Sequence, residues 1–448
     1  MTFQQAISQN PSLQAIYSQM EIQTPMARHL LLNTTFSTSK QWIEQQWQEI
    51  EECQAHLHTL NHQNSQRFFM QLSNIHDIKG SIKLLQQNQI LDDVSLFEIK
   101  AFSLNIKKLK KDFPTELFQL PDLQEVINIL DPEKLENQQF YIYSAYSEEL
   151  SQARKLWQQA KNEENEQKAH SLYVKTLEIE HRIRETLGIK LFPYIPALLK
   201  ALDTVAKIDL AFAKAKLTIE YNFKKATITT EKKIKYQSIF HPLIKNYQPI
   251  DVEIGEENYL ITGANMAGKT MILKTLALNQ LLLQYGFMLA CEKAELTLVE
   301  NVYTSIGDGQ NEMQGLSSFA YEVKNLHNII QEVKTNKTFL VLVDELARTT
   351  NPIEGKQLVE GFLKVCNQKG SFIVVTTHYS NIEAPCKRMR VKGFKHQELI
   401  APLRIEEISK HIDYSLVEDQ SNQAPTEALN LCKLLAIDED WLSCCEEK

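Results

Sequence analysis

The sequence predicts a multidomain protein, with an all-α domain first and an α/β domain after it. Three observations carry that prediction. Gly80 and Gly188 precede Gly255, and the other eleven of the 13 glycines lie from Gly255 onward. The first half is rich in Gln, Glu, Lys and Leu at helical spacing, with few turn residues. From about Tyr236, short β-rich runs alternate with helical patterns, the texture of a largely parallel sheet covered by helices. The resulting division is 1–235 helical, 236–400 α/β, and 401–448 a tail ending in the amphipathic segment "APTEALNLCKLLAIDEDWL".

In the helical part the clearest segments are "SKQWIEQQWQEIEECQAHL" and "SEELSQARKLWQQAKNEENEQKAHSLYVKTLEIEHRIRETL". The second runs nearly forty residues without a breaker and reads as an extended antiparallel or lever-like helix pair. Cys53, His56, His58 and His62 form the one dense cluster of metal-ligand residue types. On a helix, offsets of three and four share a face and His58 points elsewhere, so they read as surface polar residues rather than a zinc site. In the α/β part, "NYLITG", "TFLVLVDEL" and "SFIVVTTHY" read as buried strands.

Bulk properties narrow the class. At 448 residues the chain has the length of two or three domains. No apolar run approaches the roughly 18 residues of a membrane helix, and "MTFQQAISQNPSLQ" lacks the basic start and apolar core of a secretory signal. A cytoplasmic protein without membrane contact is expected. Its seven scattered cysteines, with Cys444 and Cys445 adjacent, fit free thiols in a reducing compartment. The net charge is −8, whereas proteins that neutralise many phosphates are usually basic. Basic runs at 107–111, 224–225, 232–235 and 387–392 read first as solvated faces.

Chemistry concentrates in the second half. Gly263 to Thr270, "GANMAGKT", satisfies GxxxxGK[ST] between a predicted strand and a predicted helix. Backbone amides of Gly263, Ala267 and Gly268 and of the helix start at Thr270 and Met271 would surround a β-phosphate. Lys269 would reach the β and γ phosphates of ATP, and the Thr270 hydroxyl would ligate Mg²⁺. "FLVLVDE" ends an apolar strand on Asp344, a second magnesium ligand, and Glu345, which would polarise the attacking water. His378, just past "FIVVTT", reads as a γ-phosphate sensor. This order is that of the ABC-type ATPases, in which a serine-containing segment such as "SIGDGQNEMQGLSSFAYEV" (305–323) binds the nucleotide of the partner subunit. Ser317 and Ser318 also suit simple helix caps.

The motifs are more specific than that class. "TGANMAGKT", "GLSSF", "LVLVDEL" and "TTHY" resemble the ATPase domain of the MutS family of DNA mismatch-repair proteins, whose signatures read approximately TGPNMGGKS/T, a Ser-Thr-Phe segment, MDE and THY. "GKTMILKT", "IGDGQ" and "DELARTTNPIEG" are most similar to the branch that carries a C-terminal nuclease. "FHPLIKN" looks like the entry to the ATPase domain, and "LSNIHDIKGSIKLLQQNQILDDVSLFEIK" like the helical core and lever region. The resemblance implies an all-α core/lever bundle followed by an α/β P-loop ATPase domain that dimerises around two nucleotides. It implies that Asn265, with Met266 in the family-specific part of the loop, touches the nucleotide. Ser317 would be the trans serine, Glu345 the hydrolytic base, His378 the switch, and Tyr247 would stack on adenine.

The departures are informative too. Ala264 and Ala267 stand where the family usually has proline and glycine, but alanine supplies the same backbone amides. "LARTT" at 346–350 replaces a glycine-rich segment that crosses the dimer interface. No segment matches a mismatch-reading or nuclease domain, so a pared-down relative is expected. The first reading is a homodimeric, or MutS-like heterodimeric, ATPase acting on DNA or DNA junctions. The alternative is a MutS-like ATPase that remodels a protein, similar to those that reactivate a cobalamin-dependent aminomutase; acidity is no obstacle to that.

Overall fold

The computed structural model of the chain describes all residues except 138, 265–266, 307–317, 336, 349, 368–369, 396–407, 409, 422–430, 434 and 447–448. The chain divides into two compact units. Met1–Gln19, Thr35–Trp47 and Leu217–Lys448 form one, and Met20–Thr34 with Gln48–Lys216 form the other. The sequence division at 235/236 falls within a strand at Ile234–Ile239.

In chain order the first helices are α1 (Phe3–Gln9), α2 (Pro11–Gln19), α3 (Pro25–Asn33), α4 (Lys40–Thr59), α5 (His62–Ser73), α6 (Lys79–Gln86) and α7 (Asp93–Asp112). They are followed by α8 (Gln124–Leu130), α9 (Glu148–Asn162), α10 (Glu166–Leu191) and α11 (Ile195–Glu220). The strands are β1 (Thr227–Ile228), β2 (Ile234–Ile239), β3 (Ile250–Ile254), β4 (Tyr259–Thr262), β5 (Lys293–Leu296) and β6 (Val302–Ser305), then β7 (Leu340–Val343), β8 (Phe372–Thr376), β9 (Lys387–Phe394) and β10 (Ile412–Glu418). Between and after them lie α12 (Lys269–Gln284), α13 (Ser318–Val333), α14 (Pro352–Cys366) and α15 (Glu439–Glu446).

The helical unit follows from its caps and its apolar stripes. Asp92 caps α7 by accepting from the Ser95 amide at 2.8 Å, and Lys110 and Lys111 sit in its last turn, where cations favour the helix dipole. The breaker-free run forms α9 and α10, separated at Glu164, whose φ is +54°. Asn165 then caps α10 by accepting from the Lys168 amide. Ion pairs Arg154–Glu180 (2.8 Å) and Arg182–Glu149 (3.1 Å) hold the two helices antiparallel. The core includes Phe68, Phe113 and Phe212, with Phe212 centroids 4.8 and 5.1 Å from the other two. Cys53 is buried, and the His56 ring lies 4.9 Å from Phe113.

Asp209, on α11, is fully buried. It accepts from the Gln23 amide (3.1 Å), the Thr24 amide (2.6 Å) and the Thr24 hydroxyl (2.7 Å). Thr24 in turn caps α3 through the Ala27 amide, so one carboxylate fixes where that helix begins.

The mixed unit carries two sheets. The smaller has the order β1-β5-β2-β3. The larger has the order β10-β9-β4-β8-β7-β6, parallel throughout except for the β9–β10 pair. β4, β7 and β8 are buried along their whole length, as strands covered on both faces must be. Because β8 lies between β4 and β7, three parallel strands end side by side on one edge. Residues 412–418, within the segment read as a tail, form β10 against β9; their mixed exposure hides the strand pattern.

Asp209→Ala would strand buried amides at the start of α3. A loss of about 3 kcal/mol is expected from urea unfolding followed by circular dichroism; a loss under about 1 kcal/mol contradicts this role for the carboxylate.

Candidate active site

The site is built at the ends of β4, β8 and β7. β4 stops at Thr262, and the chain turns through Gly263 and Ala264, with the Ala267 amide donating to the Ala264 carbonyl at 3.1 Å. Gly268 has φ +81° and starts α12 as its N-cap residue. That angle suits glycine, and a Cβ there would also press on the Tyr414 ring of β10. α12 therefore begins at Lys269 with its first amides directed towards the turn.

The side chains at these strand ends pair with one another. The Lys269 ammonium is buried, donates to the Gly263 and Ala264 carbonyls at 2.8 and 3.1 Å, and lies 3.4 Å from Glu345 Oε1. Burial pushes Lys269 below its ordinary pKa, and Glu345 opposes that. Asp344 accepts from the Thr270 hydroxyl and from the Thr376 hydroxyl, both at 2.6 Å. Thr376 also accepts from the Glu345 amide at 2.9 Å, so one hydroxyl at the end of β8 fixes both carboxylate residues. Arg348 Nη1 lies 3.3 Å from Glu345 Oε2. His378 is half-buried, and burial lowers its pKa, against the opposing field of Glu345.

These groups surround an open cleft of about 660 Å³ that also takes in Ala264, Gly268 and Met271. The donor set fits a magnesium–nucleoside triphosphate. Two cations and the amides of a helix N-terminus meet an anion, and a threonine hydroxyl beside a carboxylate is a magnesium donor set.

Of the residues singled out from sequence, Lys269, Thr270, Met271, Asp344, Glu345 and His378 share this cleft. Gly263 and Ala267 lie in the turn beside it. Asn265, Met266 and Ser317 fall outside the described residues. Tyr247 lies elsewhere: its hydroxyl is 3.4 Å from Thr275 on α12, and it is not among the cleft-lining residues. Sequence reasoning passed over Thr376, Arg348 and Tyr414. The paired threonines of "TTHY" were the available signal for Thr376, whereas Tyr414 comes from 146 residues after Gly268 (414 − 268) and left none.

Residues 259–424 match the family model of MutS domain V. Endonuclease MutS2 of Acetivibrio thermocellus is 37% identical over 212 residues, covering 46% of this chain and 26% of that protein. Endonuclease MutS2 of Clostridium botulinum (strain Langeland) is 38% identical over 212 residues, with the same coverage. That of Caldanaerobacter subterraneus is 36% identical over 192 residues, 42% of this chain and 24% of the relative. The chain thus spans about a quarter of the length of these relatives, and its likeness to the MutS family is carried by residues 259–424.

Gly268→Ala must place a side chain in the left-handed region and against Tyr414. About 2 kcal/mol of destabilisation is expected from the backbone alone, read by calorimetry as a fall of about 4 °C or more in the melting of this unit. An unchanged transition contradicts the described turn.

Proposed function

We propose that this MutS-family chain is a Mg²⁺-dependent ATPase that couples nucleotide binding and hydrolysis to DNA. The observation that supports this best is the meeting of Lys269, Thr270, Asp344, Glu345 and His378 in one cleft at three adjacent strand ends. The 236–400 segment carries the ATPase and 1–235 the core and lever part in this reading, with β10 of the 401–448 segment at the sheet edge.

The chain's own groups divide the work. The turn amides and Lys269 bind the β and γ phosphates, with Asn265 and Met266 completing the loop. Thr270 and Asp344 hold Mg²⁺, which supplies charge neutralisation to the phosphates. Glu345 takes the proton of the attacking water, while His378 donates towards the γ-phosphate. For Glu345 to do so it must leave Lys269, whose ammonium is then free for the phosphates. In this reading Tyr247, whose hydroxyl lies 3.4 Å from Thr275 of α12, would stack on the adenine. Ser317 is assigned to the nucleotide of the partner subunit, which makes the working unit a dimer.

DNA as the partner rests on the family and on the name of the relatives, an endonuclease. One observation favours the alternative, an ATP-driven remodeller of a protein such as a cobalamin-dependent aminomutase. Several cations of the basic runs pair with carboxylates of this chain: Lys107–Glu136 at 2.7 Å, Lys233–Glu295 at 3.0 Å, Lys235–Glu253 at 2.9 Å and Lys392–Asp413 at 3.3 Å. Exposed pairs of this kind are weak and yield to phosphates, so they lower the DNA affinity without forbidding it.

Three outcomes are expected. Lys269→Ala weakens binding of a fluorescent ATP analogue by about thirtyfold, the loss of one charge-assisted contact worth about 2 kcal/mol; unchanged affinity removes Lys269 from the site. The full chain binds duplex or branched DNA at about 50 mM salt, and the affinity falls steeply as salt is raised. No binding at that salt rejects DNA as the partner and favours the protein-remodelling reading. Light scattering of the ATP-bound protein gives a dimer if the trans assignment of Ser317 is right, and a monomer if it is wrong.

A further inference from the structure

We infer that Tyr379 and Glu322, which do not line the cleft, are positioning residues: they clamp the Ala347 peptide and thereby fix the aim of Glu345 and Arg348. This rests on the ATPase reading above.

Immediately after β7 the chain enters an unusual turn. Glu345 has φ +44° and Ala347 has φ +62°, both in a region that residues with a Cβ adopt at a cost. Such a conformation persists where the surroundings over-determine it, and it concentrates at functional sites. Here the surroundings do so through three side chains, from α13, from the end of β8 and from the stretch after it. Thr376, at the end of β8, accepts from the Glu345 amide at 2.9 Å. Glu322, on α13, accepts from the Ala347 amide at 3.1 Å. The Tyr379 hydroxyl donates to the Ala347 carbonyl at 2.8 Å. Ala347 is thus held at both its N–H and its C=O by side chains that reach it from outside the turn, and it is 2% exposed.

The reach of Tyr379 is itself built into the fold. Its hydroxyl passes over α14 at Gly355, where any Cβ would run into the hydroxyl and Cζ of the tyrosine. A glycine inside a helix is unfavourable, and here it leaves the space the tyrosine needs. The sequence has alanine, not glycine, at 347. A glycine would reach positive φ freely, whereas alanine there leans on the clamp.

The consequence is specific. Glu345 Oε1 lies 3.4 Å from Lys269 and Oε2 lies 3.3 Å from Arg348, contacts that depend on this turn. Relaxing Ala347 to negative φ would swing the Glu345 carboxylate and Arg348 together, while leaving the phosphate turn and α12 untouched. Loss of the clamp should therefore slow turnover without weakening nucleotide binding.

The test uses the full chain with Tyr379→Phe, Glu322→Ala and Gly355→Ala, and with Ala347→Gly added to Tyr379→Phe. Three quantities are read: kcat for ATP, the Kd of a non-hydrolysable ATP analogue, and amide hydrogen exchange of residues 345–348. Each of the three single variants is expected to lower kcat about tenfold, leave Kd within threefold, and speed exchange of the segment at least fivefold. Ala347→Gly is expected to restore at least threefold of the lost kcat in the Tyr379→Phe background. A kcat within twofold of wild type in Tyr379→Phe, a matching loss of nucleotide affinity, or no rescue by Ala347→Gly overturns the positioning role. If the wild-type chain does not hydrolyse ATP, the ATPase reading itself fails; the clamp is then judged by exchange, and unchanged protection at 345–348 overturns it.

Discussion

The two hydrogen bonds that Asp344 accepts set the geometry of the whole cleft. One comes from Thr270 on the first turn of α12 and the other from Thr376 at the end of β8. The sheet order places β8 between the strand that leads into the phosphate turn and the strand that ends in Asp344, so both hydroxyls reach the same carboxylate. Thr376 then orders Glu345 through its amide. A single buried threonine thus ties Asp344 to Glu345, and the fully buried strands beneath it keep that register rigid.

Seen from this constraint, the pairing of Lys269 with Glu345 has a chemical meaning. Each group satisfies the other in a partly buried place where an isolated charge would be costly. In the proposed ATPase, triphosphate would offer Lys269 a stronger partner and free Glu345 for the attacking water.

How much of this was legible in the sequence follows from the same physics. The turn before α12 was readable because its residue types are restricted: glycine suits φ +81° at 268, and the helix pattern opens directly after it at Lys269 and Thr270. β4, β7 and β8 were readable because strands buried on both faces are continuous apolar runs. β9 was not, because "KRMRVK" lies towards the sheet edge with Lys387, Arg388 and Arg390 half-exposed and Lys392 exposed, and a basic run looks like a solvated face. Lys233 and Lys235, from "KKIK", lie at the start of β2 and pair with Glu295 and Glu253 on its neighbours. The membership of Met1–Gln19 and Thr35–Trp47 in the mixed unit rests on contacts more than 180 residues apart, such as Trp47 to the Phe287 carbonyl, and local patterning carries no trace of them. Tyr379 was visible in "TTHY", but its role depends on Gly355 and Ala347, and Glu322 stood unremarked inside an amphipathic helix.

The account stands on Glu345 as the base of a nucleotide hydrolysis at this cleft. Single-turnover hydrolysis of radiolabelled ATP by the wild type and by Glu345→Gln, under saturating Mg²⁺, tests it most directly. The account predicts that the chemical step slows about a hundredfold or more while the nucleotide stays bound with comparable affinity. Equal rates in the two proteins would contradict it.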